Sequence, residues 1–122
     1  VVDDCRTTRK IVSIYLNNAG FKTIAAGNGV EAIEKLVGST VDIIISDLNM
    51  PQMDGSELIT WVRSNPMYKD IPLVILTTEH DDVRRDNLLE TGATAFLTKP
   101  ITKEKLIDEV NRILERCNYV RS

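Results

Sequence analysis

Residues 41–55 read Val-Asp-Ile-Ile-Ile-Ser-Asp-Leu-Asn-Met-Pro-Gln-Met-Asp-Gly. The stretch opens with a β-branched run, apolar apart from Asp42, and such a run predicts a strand that is covered on both faces. Asp47 ends the run, and Pro51 and Gly55 mark a tight turn after it. In an open parallel sheet, ligands bind beyond the carboxyl ends of the strands, so Asp47 is the first candidate site residue.

Short apolar runs and segments with helical spacing alternate along the rest of the chain. The runs predict five strands, at Val1-Val2, Thr23 to Ala25, Val41 to Ile45, Leu73 to Leu76 and Ala95 to Leu97. Apolar repeats predict five helices, marked by Val12, Leu16 and Ala19, by Val30, Ile33 and Leu36, by Leu58 and Val62, by Leu88 and Leu89, and by Leu106, Val110 and Ile113. The alternation predicts an α/β fold, a three-layer αβα sandwich around a five-stranded parallel sheet.

Polar residues follow four of the predicted strands, at the edge where the carboxyl ends of parallel strands meet. Asp3 and Asp4 follow the first strand, Asp47 the third, Thr77 the fourth and Lys99 the fifth. Three carboxylates this close repel one another unless a cation joins them, and Mg²⁺ takes oxygen ligands of this kind. With a lysine and a hydroxyl beside them, these groups suit phosphoryl transfer, in which a carboxylate oxygen can be the nucleophile.

The composition limits the classes of protein that fit. The chain has 122 residues, a net charge of -3 and a pI near 5.1, which argues against direct nucleic-acid binding because phosphate attracts clustered basic residues. No apolar run is long enough to predict a membrane span. Cys5 and Cys117 are predicted to lie too far apart to bridge, and two unpaired thiols indicate a reducing, cytoplasmic compartment. The pKa of Cys5 is expected to rise beside the carboxylates.

Four motifs taken together resemble the CheY-like receiver domains of two-component response regulators. They are Val1-Val2-Asp3-Asp4, Asp47 to Gly55, Leu76-Thr77 and Leu97-Thr98-Lys99-Pro100, and each follows the strand that the family requires. The resemblance covers nearly the whole chain. It implies a flavodoxin-like (βα)5 fold with strand order 2-1-3-4-5. It also implies a protein that is phosphorylated and dephosphorylates itself, and not an enzyme that turns over an external substrate.

The resemblance implies a role for each matching residue. Asp47 is then the phosphoacceptor, and Lys99 and Thr77 bind phosphoryl oxygens. The implied ligands of Mg²⁺, for which Mn²⁺ is a substitute, are the side chains of Asp4 and Asp47, the backbone carbonyl of Asn49, and Asp3 through water. Thr77 and Phe96 form the switch, Asn49 and Glu79 tune the phosphoryl lifetime, and the Lys99–Pro100 bond is a candidate cis peptide.

The implied partners are a phosphohistidine donor and an output protein. The donor is a sensor histidine kinase or a histidine phosphotransfer protein, and the output partner binds the face made by the fourth helix, fifth strand and fifth helix. We expect a cytoplasmic monomer or phosphorylation-dependent dimer without membrane or nucleic-acid contact. The receiver domain is predicted at 1–117, with 118–122 a tail or linker boundary, and a few strand residues are expected upstream of Val1. A stand-alone chemotaxis-like regulator is favoured over a module of a transcriptional regulator or hybrid kinase.

Other interpretations remain at the level of sequence. An aspartate-nucleophile phosphatase shares the metal and acyl-phosphate chemistry, but it usually carries an acid two residues after the nucleophile, where this chain has Asn49. A flavodoxin-like electron carrier needs a phosphate-binding loop after the first strand, which Asp3 and Asp4 oppose, and no nucleotide-binding glycine motif is present. Asp54 is interpreted as a cap or turn former for the third helix, and Phe96 taken alone is more typical of a core position than of a switch.

Overall fold

The computed structural model describes residues 1–48, 50, 53–78 and 82–121, without the side chains of 82–85 and 117–121. Within that part of the chain the helices are α1 (Arg6–Asn18), α2 (Gly29–Val37), α3 (Gly55–Ser64), α4 (Asp82–Thr91) and α5 (Lys103–Arg121). The strands are β1 (Ile44–Asp47), β2 (Leu73–Thr77) and β3 (Ala95–Thr98).

The three strands form a parallel sheet in the order β1-β2-β3. Asp47 is in register with Leu76, and Leu76 with Leu97, so the carboxyl ends of the strands are level with one another. Every residue of β1 and β2 is buried, and the polar ones, Ser46, Asp47 and Thr77, lie at the carboxyl ends of the two strands. The sheet therefore brings the residues that end each strand to one edge.

Two of the five predicted strands pair through single bridges and not through continuous ladders. Val2 bridges Ala26 on one side and Ser46 on the other, both in parallel orientation. The Val2 N–H donates to the Ile45 carbonyl at 2.7 Å, and the Asp3 N–H donates to the Ala26 carbonyl at 3.1 Å. The five segments nevertheless lie in the predicted order 2-1-3-4-5.

The core consists of two apolar clusters, one on each side of the sheet. One holds the inward residues of α2, α3 and α4, with Leu58, Ile59 and Val62 fully buried. The other holds those of α1 and α5, including Val12, Leu106 and Val110. The three-layer αβα sandwich and the flavodoxin-like fold predicted from the sequence are thereby confirmed.

The buried face of α2 differs from the one that its apolar repeat predicts. Leu36 is buried and Ile33 packs partly buried against the core as predicted, but Val30 is 43% exposed, and α2 buries Gly29 and Ala32 in addition. The helix lies very close to the loop after β1, because a Cβ atom at Gly29 would be 2.7 Å from Cγ of Met53. Gly29 therefore lies against that loop, and only a residue without a side chain fits there.

The carboxyl ends of α4 and α5 can be compared with the helix end and the domain boundary that the sequence predicts. Helix α4 ends at Gly92, which has a φ of 128°, a conformation that glycine adopts at little cost. Helix α5 continues to Arg121, so most of the segment predicted as a tail is helical, and the domain boundary stays a prediction. Among the described residues, no helix is both long and apolar enough to cross a membrane.

Candidate functional site

Three carboxylates meet at the carboxyl edge of the sheet. Asp47 is the last residue of β1, and Asp3 and Asp4 follow the short segment that pairs with it. One carboxylate oxygen from each of the three lies within 4.8 Å of the others, and we call these residues the acidic cluster. Asp3 and Asp47 are buried and Asp4 is exposed, so the cluster opens to solvent on the Asp4 side.

Lys99 supplies the positive charge that faces this cluster. Its ammonium nitrogen lies 2.9 Å from Oδ1 of Asp47 and 3.5 Å from Oδ2 of Asp3. The backbone fixes that position, since the Lys99 N–H donates to the Thr77 carbonyl at 2.8 Å. The Lys99–Pro100 peptide is cis, as the resemblance implied. The structure thus brings together Asp3, Asp4, Asp47 and Lys99, which the sequence places as far as 96 positions apart.

The site perturbs the protonation of both partners in this ion pair. Burial raises the pKa of Asp47 above its ordinary value and the charge of Asp3 adds to the rise, although the hydrogen bond and charge of Lys99 act in the opposite direction. Burial by itself lowers the pKa of Lys99, but the hydrogen bond and charge of Asp47, together with those of Asp3, outweigh it and raise that pKa. One ammonium group therefore compensates the buried carboxylates incompletely.

Thr77 lies on β2, the neighbour of β1, and Phe96 lies on β3, on the far side of β2. Thr77 ends β2, is buried, and pairs in register with Thr98 of β3. Phe96 pairs with Ile75 and lies partly buried against the cluster formed by α2, α3 and α4. Thr77 therefore lies at the edge that holds the acidic cluster, whereas Phe96 lies two register positions below it.

The amino end of α3 approaches the backbone of Asp47 closely. The Gly55 N–H donates to the Leu48 carbonyl at 2.9 Å, and a Cβ atom at Gly55 would be 2.8 Å from the Asp47 carbonyl oxygen. Asp54 caps α3 through its side chain, which accepts from the Glu57 N–H at 2.9 Å, and this confirms its interpretation as a cap. The sequence marks Gly55 as a turn residue but not as a contact of the acceptor strand.

Arg9 of α1 is a second contact that sequence reasoning missed. Its guanidinium donates to the Asp3 carbonyl at 2.8 Å, while Oδ1 of Asp3 accepts from the Cys5 N–H at 2.8 Å. Both bonds hold Asp3 in place beside Asp47. The expected rise in the pKa of Cys5 is wrong, because hydrogen bonds with Thr8 lower that pKa by more than burial and Asp3 raise it.

Some predicted positions lie outside the described residues. Asn49 is one of them; the resemblance implied that its carbonyl binds the metal and that its side chain tunes the phosphoryl lifetime. Glu79, implied to tune the same lifetime, Pro51 and the side chain of Cys117 are the others.

The donor set suits a hard divalent cation. Three carboxylates converge, one of them fully buried, and burial already makes the ionised form of Asp47 costly. Oxygen-only ligands with high negative charge are those that Mg²⁺, Ca²⁺ and Mn²⁺ prefer. The acidic cluster could therefore hold such an ion beside the Lys99 ammonium group.

Comparison with known proteins identifies the class to which this fold and site belong. The chain matches the response regulator receiver domain over residues 1–111. It is 35% identical over 116 residues to chemotaxis protein CheY1 of Helicobacter pylori, a match that covers 93% of this chain and 94% of that protein. The chain belongs to the response regulator receiver domain family.

Two solved structures agree with that assignment. Chemotaxis response regulator CheY4 of Vibrio cholerae superposes with a TM-score of 0.87 at 38% identity, covering 92% of this chain and 93% of that one. The signal receiver domain of a signal transduction histidine kinase from Syntrophus aciditrophicus has a TM-score of 0.86 at 36% identity, covering 93% of this chain and 86% of that one. The protein is thus a CheY-like receiver domain of two-component signalling.

Proposed function

We propose that this receiver accepts a phosphoryl group on Asp47 from the phosphohistidine of a sensor histidine kinase or histidine phosphotransfer protein. The observation that carries the proposal is the position of the Asp47 carboxylate, which lies within 4.8 Å of carboxylate oxygens of Asp3 and Asp4 and 2.9 Å from the Lys99 ammonium group. Family membership supports it as well, because the matched family is defined as a receiver.

The transfer needs one bond made and one broken. A carboxylate oxygen of Asp47 attacks phosphorus, the bond between phosphorus and the donor imidazole nitrogen breaks, and the electron pair returns to that nitrogen. Lys99 then stabilises a phosphoryl oxygen by charge, and the hydroxyl of Thr77 donates to another. Mg²⁺, or Mn²⁺, held by Asp4, Asp47 and the backbone of Asn49, with Asp3 through water, would neutralise charge on the phosphoryl oxygens when bound.

The acyl phosphate is transient, and the same residues hydrolyse it. Water attacks phosphorus, the Asp47 carboxylate leaves, and inorganic phosphate is released. The chain is therefore a self-catalysed phosphoacceptor with no external substrate to turn over, and Asn49 and Glu79 stay the positions proposed to set the phosphoryl lifetime.

We assign the output to the face formed by α4, β3 and α5. Strand β3 ends the sheet on the side away from Val2, and α4 and α5 cover its two faces. Among the five helices, α4 has the weakest separation of apolar from polar residues, and of its described side chains only Leu88 is buried. An element with so little buried surface is the part of the domain that a charge change at Asp47 moves most easily.

We favour a stand-alone chemotaxis-like regulator in the cytoplasm, with the donor docking beside α1. The chemotaxis role is supported by the 35% identity to chemotaxis protein CheY1. The alternative, a receiver module of a larger regulator or kinase, is supported by the likeness to the receiver domain of a histidine kinase.

The test is intact-protein mass after incubation with acetyl phosphate, with Mg²⁺ and with a chelator. The wild type should gain one phosphoryl group from acetyl phosphate when Mg²⁺ is present and none in chelator, and Asp47→Asn should gain none in either case. Asp54→Asn is the matched control, since asparagine caps a helix as well as aspartate does and Asp54 lies outside the acidic cluster. A gain that persists in Asp47→Asn, or no gain in the wild type, would refute the assignment.

A further inference from the structure

Arg63, near the carboxyl end of α3, binds three backbone carbonyls and a hydroxyl from two other loops. Its Nε donates to the Gly92 carbonyl at 2.9 Å, and Nη1 donates to the carbonyls of Lys69 and Ile71, each at 2.7 Å. Its Nη2 donates to Oγ1 of Thr94 at 3.3 Å. We call these five residues the Arg63 network. It joins α3 to the turn before β2 and to the loop between α4 and β3.

The Gly92 carbonyl that Arg63 binds belongs to the residue that terminates α4. The Gly92 N–H donates to the Leu88 and Leu89 carbonyls at 3.0 and 3.1 Å, and the Ala93 N–H donates to the Leu88 carbonyl at 3.0 Å. This is a Schellman termination with glycine in the left-handed region, and Leu88 and Ala93 are both buried beneath it. The helix end is thus satisfied within itself, and Arg63 adds a bond to the rest of the domain.

The network is closely packed as well as hydrogen-bonded. A Cβ atom at Gly92 would be 2.7 Å from Cγ of Arg63, so the arginine side chain lies directly against the turn. Oγ1 of Thr94 also accepts from the Leu73 N–H at 2.9 Å, and the Thr94 N–H donates to the Leu73 carbonyl at 2.8 Å. The carboxyl end of α4 is therefore fixed to the amino ends of β2 and β3.

The two ends of α4 have different surroundings in the topology. The chain leaves β2 at Thr77, beside the acidic cluster, and enters α4 at Asp82, so the amino end of α4 lies on the side of the proposed phosphoryl site. Its carboxyl end lies at the opposite edge of the sheet, in the Arg63 network.

We propose that Arg63 is a positioning residue that holds the carboxyl end of α4 in place, so that α4 responds to the proposed site by tilting about this end. The tilting of α4 rests on the proposed function, whereas the anchoring of its carboxyl end by Arg63 does not. The forked guanidinium is essential to it, because an ammonium group is a point charge and cannot reproduce four contacts in separate directions.

The first experiment measures amide hydrogen exchange by NMR in the unphosphorylated protein for Arg63→Lys and Arg63→Gln. Exchange at Gly92 and Ala93 should become faster by about tenfold or more in both variants, while the amides of β2 change much less. Arg112→Lys, on the exposed face of α5, is the control and should change neither. Unchanged exchange at Gly92 and Ala93, restoration by lysine, or an equal rise in β2 would overturn the proposal.

The second experiment adds acetyl phosphate and Mg²⁺ to the same variants. Arg63→Lys should gain the phosphoryl group like the wild type, but its phosphorylation-dependent amide shifts should extend to residues 86–93, where the wild type shows small ones. Equal shifts over 86–93 in both proteins would overturn the tilting of α4 about this end. If the wild type gains no phosphoryl group, the proposed function fails and the exchange experiment still decides the role of Arg63.

Discussion

Lys99 is the residue on which the charge balance of the site depends. Its side chain is 21% exposed, whereas those of Asp3 and Asp47 are 0% and 11% exposed. A buried carboxylate without a partner is costly, and here two of them share one ammonium group. In the absence of a divalent cation, Lys99 is therefore a structural counter-ion as well as a group available to a phosphoryl oxygen.

Replacement of Lys99 by methionine should expose this dual role. Without the ammonium group, Asp3 and Asp47 repel each other, so Lys99→Met should lower the free energy of unfolding by about 1–3 kcal/mol in chelator at neutral pH. Mg²⁺ should stabilise the variant more than the wild type, because a bound cation replaces the missing charge. Urea unfolding with and without Mg²⁺ measures both effects.

Lys103→Met, an exposed lysine at the start of α5, is the control and should change stability little. A Lys99→Met protein as stable as the wild type in chelator would show that the ion pair does not balance the acidic cluster.

The sequence predicts the charged residues of the site, but it does not predict the arginines that bind backbone carbonyl groups. Asp3, Asp47 and Lys99 are predictable because each follows an apolar strand and carries a charge. Arg9 and Arg63 are not, since their partners are main-chain carbonyls, which every residue possesses and which leave no mark in the sequence. Only the folded backbone reveals which carbonyls they bind.

Helix α3 packs closely against the carboxyl end of the acceptor strand β1. A Cβ atom at Gly55 would be 2.8 Å from the Asp47 carbonyl oxygen and 3.0 Å from Cα of Leu48, and neither backbone atom can move without shifting β1. Gly55→Ala should therefore lower the free energy of unfolding by about 1–3 kcal/mol. It should also slow the gain of a phosphoryl group, because Asp47 is displaced.

Gly38→Ala provides the matched control for that substitution. Gly38 follows α2 at a φ of -98°, and a Cβ atom there would meet only the Glu34 carbonyl oxygen, at 4.0 Å. It should leave phosphorylation unchanged and stabilise the protein by about 0.4–1 kcal/mol, because alanine restricts the unfolded chain. Urea unfolding that gives the two variants equal stability would contradict the close approach of α3.

Helices and strands could be predicted in type and order, but not in every boundary or face. Periodicity identifies α2 and its buried Leu36, but Val30 of the same repeat is exposed, whereas Gly29 and Ala32 are buried. Met53 comes so close to Gly29 that a larger side chain has no room there, and the sequence does not reveal this contact. Similarly, the first two segments pair as predicted, but their ladder hydrogen bonds are too few to make continuous strands.

In the whole molecule, the acceptor Asp47 and the face proposed to bind the output partner lie on different strands of the sheet, β1 and β3. Phe96 belongs to β3, one of the elements of that face, and packs partly buried against the cluster that α4 helps to form. Phe96→Leu should cost about 1 kcal/mol of stability, because it nearly conserves volume. It should leave the gain of a phosphoryl group intact while reducing the phosphorylation-dependent shifts of α4 and β3 amides in two-dimensional NMR spectra.

Phe21→Leu is the control, since Phe21 packs against the cluster on the opposite side of the sheet. It should leave those shifts unchanged. If Phe96→Leu reduced the gain of a phosphoryl group and the α4 amide shifts by the same factor, Phe96 would not be a switch residue.

The central claim is that a carboxylate oxygen of Asp47 carries the phosphoryl group, and chemical trapping tests it most directly. Borohydride reduces an aspartyl phosphate to homoserine, so the modified residue can be located by peptide mass spectrometry after treatment with acetyl phosphate and Mg²⁺. The account predicts homoserine at position 47 in the wild type and none when Mg²⁺ is replaced by a chelator. Homoserine at Asp3, Asp4 or Asp54, or at none of the aspartates, would contradict it.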